Sequence, residues 1–509
     1  MAEAAAGRGQ FPEALALFGQ ALLLRPDDAT TLMQLSYLHS MLGHYGIAHE
    51  HALRAYATGT NSPSVLMELI PRLRTFNEVP ALRECIRRMM PLSRIPIPVL
   101  IKAAAHLSYV NLPEEAITLL DEAKRADPDF PTTLLARTQV LTYLGRFREA
   151  EQDVLRALRR APEIAQGWWL QAPLRKQQAN ANHVDAIRAE LARPHRKHED
   201  VALLGFALHK ELDDLGDIAG AWDALMLGCH AKRAALRYSS TDTIKLMDAL
   251  INYSPVMTPV PVQETGPKPI FIVGMHRSGT TLLEQLLDGS PQVRGIGELY
   301  DFTSAMRYVT DHHCPGVVDL ELIRRAAHAD LKVAGQRYLG GVAWRLRGEA
   351  FFTDKLPSNF LNIGFIASAL PRARILHMMR DPIETCFSNL RELFSGANPY
   401  SYDMTELASY YKQYQRLMAH WHRRFPGRIL DVDYSRLVND PEATLREVCD
   451  FCELDFDPAM LELDNRERGV VTASAVQIRA GIQARQTPKW APYEALLQPL
   501  IKALAEGEA

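Results

Sequence analysis

The feature that most constrains this chain is a spacing of 34 residues. Gly9, Phe11, Ala14 and Ala21 return as Gly43, Tyr45, Ala48 and Ala55, each shifted by 34. Further along, Ala116, Ala123 and Pro128 return as Ala150, Ala157 and Pro162, again 34 apart. Gly145 and Phe147 stand ahead of Ala150 as Gly9 and Phe11 stand ahead of Ala14. A period of this length marks a supersecondary unit that buries its apolar face only against its neighbours. The residue types suit paired helices. Small alanines let two helices approach closely, an aromatic ring fills the gap between them, and a proline stands where one unit ends and the next begins. An alanine-rich bundle with a chance spacing is the alternative, and agreement at several positions argues against it.

These positions resemble the tetratricopeptide repeat, a helix–turn–helix unit. The array is expected over residues 1–165, with a degenerate unit within 60–110. The first unit is expected to lack most of its leading helix, so the gene start lies upstream or the array begins half-capped. Residues 166–253 keep a helical pattern without the motif, and Leu215, Gly216, Asp217, Ala221 and Trp222 resemble one last repeat. Between Ser254 and Pro269, five prolines and Gly266 exclude a regular helix, which makes 254–269 the expected linker. Residues 270–509 then form a second domain, as expected for 509 residues, more than one core usually holds.

Composition is that of an ordinary globular protein, 47% hydrophobic and 23% charged. A net charge of −3 argues against a general nucleic-acid binder. The start, Met-Ala-Glu-Ala-Ala-Ala-Gly-Arg, lacks the basic end and apolar core of a signal peptide. No apolar run reaches the ~18 residues of a membrane span, so a cytoplasmic protein is expected. Six scattered cysteines suggest no disulfide framework and fit a reducing compartment. Cys449 and Cys452 form a single CxxC; two half-buried helix thiols is the preferred reading over a metal or redox pair.

The second domain opens on chemistry. Ile270 to Val273 is a short apolar run rich in β-branched residues, which predicts a buried strand. Gly274-Met275-His276-Arg277-Ser278-Gly279-Thr280-Thr281 follows, and then leucines 282, 283, 286 and 287 recur at helical spacing. Strand, glycine loop and helix together aim free backbone N–H groups at an anion. Gly274-x4-Gly279 almost spells the nucleotide triphosphatase loop, but Thr280 stands where that motif needs Lys. Arg277 supplies positive charge from within the loop instead. The expected ligand is a phosphate-bearing nucleotide other than ATP with magnesium.

The segment FIVGMHRSGTTLLEQLL resembles the 5′-phosphosulfate loop of sulfotransferases that use 3′-phosphoadenosine 5′-phosphosulfate (PAPS). The likeness is greatest to bacterial tetratricopeptide-repeat sulfotransferases and the related protein-tyrosine sulfotransferases, and covers roughly 268–500. It implies an α/β three-layer domain with a parallel, P-loop-like sheet, in which Arg277, Ser278, Gly279, Thr280 and Thr281 hold the 5′-phosphosulfate. It further implies that Arg380, in Arg380-Asp381-Pro382, and Ser388 grip the 3′-phosphate. Asp381-Pro382 also reads as an ordinary helix start. Arg391 lies near another family arginine but one position out of register. Glu298, in Gly295-Ile296-Gly297-Glu298-Leu299, matches the catalytic base of the tyrosine enzymes. Lys355 matches a lysine that stabilises the bridging oxygen. Tyr434, Ser474 and Arg479 match nucleotide contacts, although Ala480-Gly481 stands where the family commonly has Pro after that Arg. Trp490 fits the helix that closes the domain, with core packing its simplest role.

His276 is a rival base, but its place inside the anion loop favours a packing or loop-shaping role. His377, in an apolar strand, reads as a satisfied core histidine. His312, His313 and Cys314 are consecutive and therefore diverge too much to share a metal. The expected reaction is sulfuryl transfer from PAPS to a hydroxyl or amine, with no metal. The acceptor is open, and a protein or peptide partner at the repeats is favoured slightly. Two other readings stand beside it: a kinase or NTPase with a variant loop, and an inactive repeat scaffold.

Overall fold

The computed structural model describes residues 1–253, 266–463, 469, 471–472 and 487–506. The N-terminal half is built of helix pairs. Helix α1 (Ala2–Gly7) pairs with α2 (Phe11–Leu24), α3 (Ala29–Met41) with α4 (Tyr45–Ala57), and α5 (Pro63–Thr75) with α6 (Val79–Arg88). Then α7 (Ile97–Tyr109) pairs with α8 (Pro113–Ala126), and α9 (Pro131–Tyr143) with α10 (Phe147–Arg160). The trailing helices α2, α4, α6, α8 and α10 begin at residues 11, 45, 79, 113 and 147, all 34 apart. The leading helices α3, α5, α7 and α9 begin at 29, 63, 97 and 131, and α11 (Ala165–Gln171) begins one period later. The period therefore runs unbroken through 60–110, where the residue pattern is degenerate.

Small residues hold the pairs together. Ala14, Ala48, Ala116 and Ala150 are fully buried, and Leu82 takes the same place in α6. Helices α12 (Val184–Leu191), α13 (His198–Leu215), α14 (Ile218–Ala234) and α15 (Ser240–Asn252) complete this half. α13 and α14 form a hairpin turned at Gly216 (φ 79°) and capped by Asp217, whose carboxylate accepts from the Gly220 amide. They cross so closely that a Cβ on Gly205 would lie 2.8 Å from the Gly228 backbone. The expected linker falls mostly outside the described residues.

The C-terminal half carries a five-stranded sheet in which every pairing is parallel. The strands are β1 (Lys268–Gly274), β2 (Val293–Gly295), β3 (Phe351–Asp354), β4 (Arg374–Met379) and β5 (Ile429–Asp433), in the order β2-β3-β1-β4-β5. β1 lies at the centre, and its residues alternate between two cores. Ile270 and Ile272 pack with α16 (Thr280–Leu287) and with Leu445 and Val448. Phe271 and Val273 face the other way and join an apolar core that continues into the repeat array. Burial on both faces explains why β1 reads as a continuous apolar run. No helix among the described residues is long and apolar enough to cross a membrane.

Candidate functional site

All five strands end on the same edge of the sheet, and the chemistry-bearing residues follow those ends. Gly274 closes β1, Lys355 follows β3, Arg380 follows β4, Tyr434 follows β5, and Glu298 lies three residues beyond β2. Ligands of open parallel sheets sit at this edge.

The loop after β1 is shaped by backbone conformations that few residues accept. Arg277 (φ 68°) and Gly279 (φ 108°) both lie in the left-handed region. A Cβ at Gly279 would meet the Tyr434 ring at 2.5 Å, so only glycine admits that ring. Thr280 and Thr281 open α16, whose first amides point into the loop. The buried Ser278 hydroxyl has no hydrogen-bond partner among the described residues. A buried hydroxyl without a partner just ahead of a helix N-terminus suits an anionic oxygen.

Two guanidiniums join this loop to α17 (Pro382–Leu390). Arg277 Nε donates to Ser388 Oγ at 3.3 Å, and Arg380 Nη1 donates to the Arg277 carbonyl at 3.1 Å. Arg380 also donates to Glu384 at 2.7 Å and lies 4.5 Å from the centre of the Tyr434 ring. Burial lowers the Arg380 pKa, since a desolvated cation is disfavoured. Asp381 caps α17 through the Glu384 amide at 2.8 Å, so Asp381-Pro382 is the helix start its residues suggest.

Glu298 and Lys355 meet because β2 and β3 run in register. Gly295 pairs with Thr353, and the pairing continues beyond the strands. The Ile296 amide donates to Thr353 O at 3.2 Å, and the Lys355 amide donates to Gly297 O at 3.0 Å. Lys355 Nζ then lies 2.5 Å from Glu298 Oε1. The lysine side chain is 0% exposed and the glutamate 33%, so the carboxylate faces outward while the cation is sealed behind it. Gly297 (φ 81°) supplies a left-handed residue between them. Two acids one turn apart, Glu284 on α16 and Asp288 at its C-terminal cap, hold the loop from beneath. Glu284 accepts from the Gly297 amide at 2.7 Å and Asp288 from the Gly295 amide at 2.5 Å. Sequence reasoning missed both; an acid at i and i+4 in a leucine-rich helix was the only available signal.

The histidines separate cleanly. His276 feels the charges of Glu298, Lys355 and Arg277, and burial pushes it down to about 4. Its Nδ1 is buried without a partner among the described residues, its ring packs edge-on against Phe394, and its carbonyl accepts from Asn389 at 2.7 Å. The unfolded histidine titrates near 6.5, above the folded value, so the folded state gains its full advantage above that pH and loses it as pH falls toward 4. Stability is expected to drop between pH 7.5 and 5, and His276→Gln should remove about 2 kcal/mol of that drop, read from urea midpoints at both pH values. His377 bonds Asp431 at 2.6 Å through Nδ1 and Tyr414 through Nε2, as a satisfied core histidine does. His312 pairs with Asp319, His313 stacks on Tyr45, and Cys314 donates to Gly316 O, so those three diverge.

Arg391 turns away from the anion loop. Its guanidinium contacts His209 at 2.9 Å and pairs with Asp213, both on α13. The one-residue offset in register is thus a change of partner. Ser474 and Arg479 lie outside the described residues. Trp490 is partly buried against the main core. Cys449 and Cys452 are both buried free thiols, raised by burial to about 11 and about 12.

Comparison with known proteins fits this geometry. The family model described as "Sulfotransferase family" matches residues 269–458. The matched segment runs from β1 to beyond β5 and includes Glu298, Lys355, Arg380 and Tyr434. An uncharacterized protein of Aquifex aeolicus is 31% identical over 413 residues, covering 77% of this chain and 53% of that protein. This chain therefore spans about half the length of that relative. A Caenorhabditis briggsae protein named "Putative protein-tyrosine sulfotransferase" is 25% identical over 233 residues, covering 43% of this chain and 80% of its own. The solved sulfotransferase domain of the Synechococcus PCC 7002 olefin synthase is 19% identical, with a TM-score of 0.30, over 50% of this chain and all of that one.

Proposed function

We propose that this protein transfers a sulfuryl group from PAPS to a hydroxyl or amine acceptor. The observation that carries the reading is the convergence, at one sheet edge, of an anion loop lacking the NTPase lysine, the guanidiniums of Arg277 and Arg380, and the Glu298–Lys355 pair. PAPS would supply an activated sulfuryl group and leave as adenosine 3′,5′-bisphosphate. The residues fit such a ligand at both ends. Ser278, Gly279, Thr280, Thr281 and Arg277 line an anion cradle with an unpaired buried hydroxyl. Arg380, just after β4, and Ser388, on α17, lie beside the loop, with the Tyr434 ring against both Gly279 and Arg380. A guanidinium can give a phosphate two charge-assisted hydrogen bonds.

Each catalytic side chain has one task. Glu298, partly open to solvent, would take the acceptor proton at a carboxylate oxygen. Lys355, sealed and pre-placed, would oppose the negative charge that grows on the departing oxygen. The acceptor would enter on the open side of Glu298. The repeat array and the sequence likeness to the Caenorhabditis protein both support a protein or peptide acceptor. Six free buried cysteines support residence in a reducing compartment.

Thermal unfolding with adenosine 3′,5′-bisphosphate, ADP, and ATP plus magnesium tests the reading. Ligand at about 100 times its dissociation constant should add about 2.7 kcal/mol. That is about 5–10 °C for a domain of this size. The expected result is a rise with the 3′-phosphorylated nucleotide alone, without metal, lost in Arg380→Ala. A rise only with ATP and magnesium would favour a kinase, and no rise with any nucleotide would favour a scaffold.

A further inference from the structure

The five turns that join helices within the repeat pairs share one conformation. Residues 9, 43, 77, 111 and 145 are 34 apart and all left-handed, with φ of 76°, 81°, 60°, 61° and 72°. Each turn closes in the same way, the next residue's amide donating to a carbonyl five positions back, from Gln10→Ala5 to Arg146→Leu141. Glycine fills this place in three of the turns, and asparagine, the residue that best tolerates it after glycine, fills the other two. The exchange keeps the turn and adds a carboxamide.

Both turns meet the other domain, and both meet it at the segment that carries Glu298 or the helix that follows. Asn111 Nδ2 donates to the Ile296 carbonyl at 2.7 Å, two residues before the glutamate. Asn77 lines a common cavity with the buried Asp301, three residues after it. The contact is returned at each turn. Ser304 Oγ donates to the Phe76 carbonyl at 2.9 Å, and Arg345 donates to the Val110 carbonyl at 2.8 Å. Those carbonyls belong to the residues just before the two asparagines. Nearby, Tyr109 at the end of α7 stacks on Tyr300, with ring centres 5.7 Å apart.

We infer that the turns at Asn77 and Asn111 are a two-point clamp by which the repeat array positions the 296–301 segment and, through it, Glu298. The array then serves as part of the catalytic scaffold as well as any docking it does. Asn77 and Asn111 are positioning residues, and the inference rests on the reading of Glu298 as the base. A strand-end loop with two glycines just ahead of its key residue is easily displaced, and two fixed points on either side restrain it.

The test uses the full chain with Asn77→Gly, Asn111→Gly and both together. Glycine already serves in three equivalent turns, so the array should keep its helical circular dichroism. Hydrogen–deuterium exchange of peptides covering 293–301 is expected to quicken about tenfold or more in the double variant. The midpoint shift with adenosine 3′,5′-bisphosphate should stay as in the parent. With a tyrosine-containing peptide as acceptor, kcat should fall while KM for PAPS holds. Ser304→Ala, which leaves the array untouched, should quicken exchange in the same peptides to a smaller degree. Exchange over 293–301 indistinguishable from the parent in the double variant would overturn the clamp. Failure of the base reading shows elsewhere, as unchanged turnover in Glu298→Gln, so the two are told apart.

Discussion

Glu298→Gln is expected to lower kcat about 100- to 10,000-fold while leaving the midpoint shift with adenosine 3′,5′-bisphosphate intact. The range is what a positioned general base contributes. Gln keeps the length of the side chain and can still accept a hydrogen bond from Lys355, which lies 2.5 Å away in the parent. What it loses is the capacity to take a proton. The carboxylate stands on the far side of Lys355 from the sealed interior, so the substitution should leave cofactor affinity unchanged. The assay is transfer from radiolabelled PAPS to a tyrosine-containing peptide, with His276→Gln run beside it. His276 is the rival base among the described residues, and at about 4 its ring is neutral at pH 7 and able to take a proton. Retained turnover in Glu298→Gln with loss in His276→Gln would exchange the roles. Loss in the glutamate variant alone fixes the base.

Sequence reasoning succeeded where one residue type was required by one geometry. Gly279 is forced by its φ and by the Tyr434 ring, and the apolar run of β1 is forced by burial on both faces. The repeat period was visible at Gly9, Gly43 and Gly145 for the same reason. It faded at 77 and 111 because asparagine satisfies the same backbone demand as glycine. Matching residue identities hides a period that the chain itself keeps without a break. Glu284 and Asp288 were hidden for another reason. Their partners are backbone amides on a loop that only the β2–β3 register brings near. Arg391 shows the converse. Its sequence neighbourhood suggested the cofactor, yet α13 offers it Asp213 and His209, a partnership that no local pattern announces.

Lys355→Met should lower kcat about 100- to 1,000-fold, the scale set by removing a preorganised charge from a water-excluded site. The methionine fills the same sealed channel with an apolar chain of similar length. Folding stability should change little, because the glutamate left behind is a third exposed and can be hydrated, unlike a fully buried partner. Nucleotide binding discriminates between two roles for the lysine. A stabiliser of the departing oxygen acts on charge that appears only during transfer, so the product nucleotide should bind as before. A lysine that merely holds phosphate would lose that binding together with turnover. The double variant Glu298→Gln, Lys355→Met completes the cycle. Because the two side chains form one ion pair, each removal alters the environment of the other, and the combined loss should fall well short of the sum of the separate losses. Full additivity would mean that base and charge act independently, and that the pairing seen between them is only where two separate functions happen to touch.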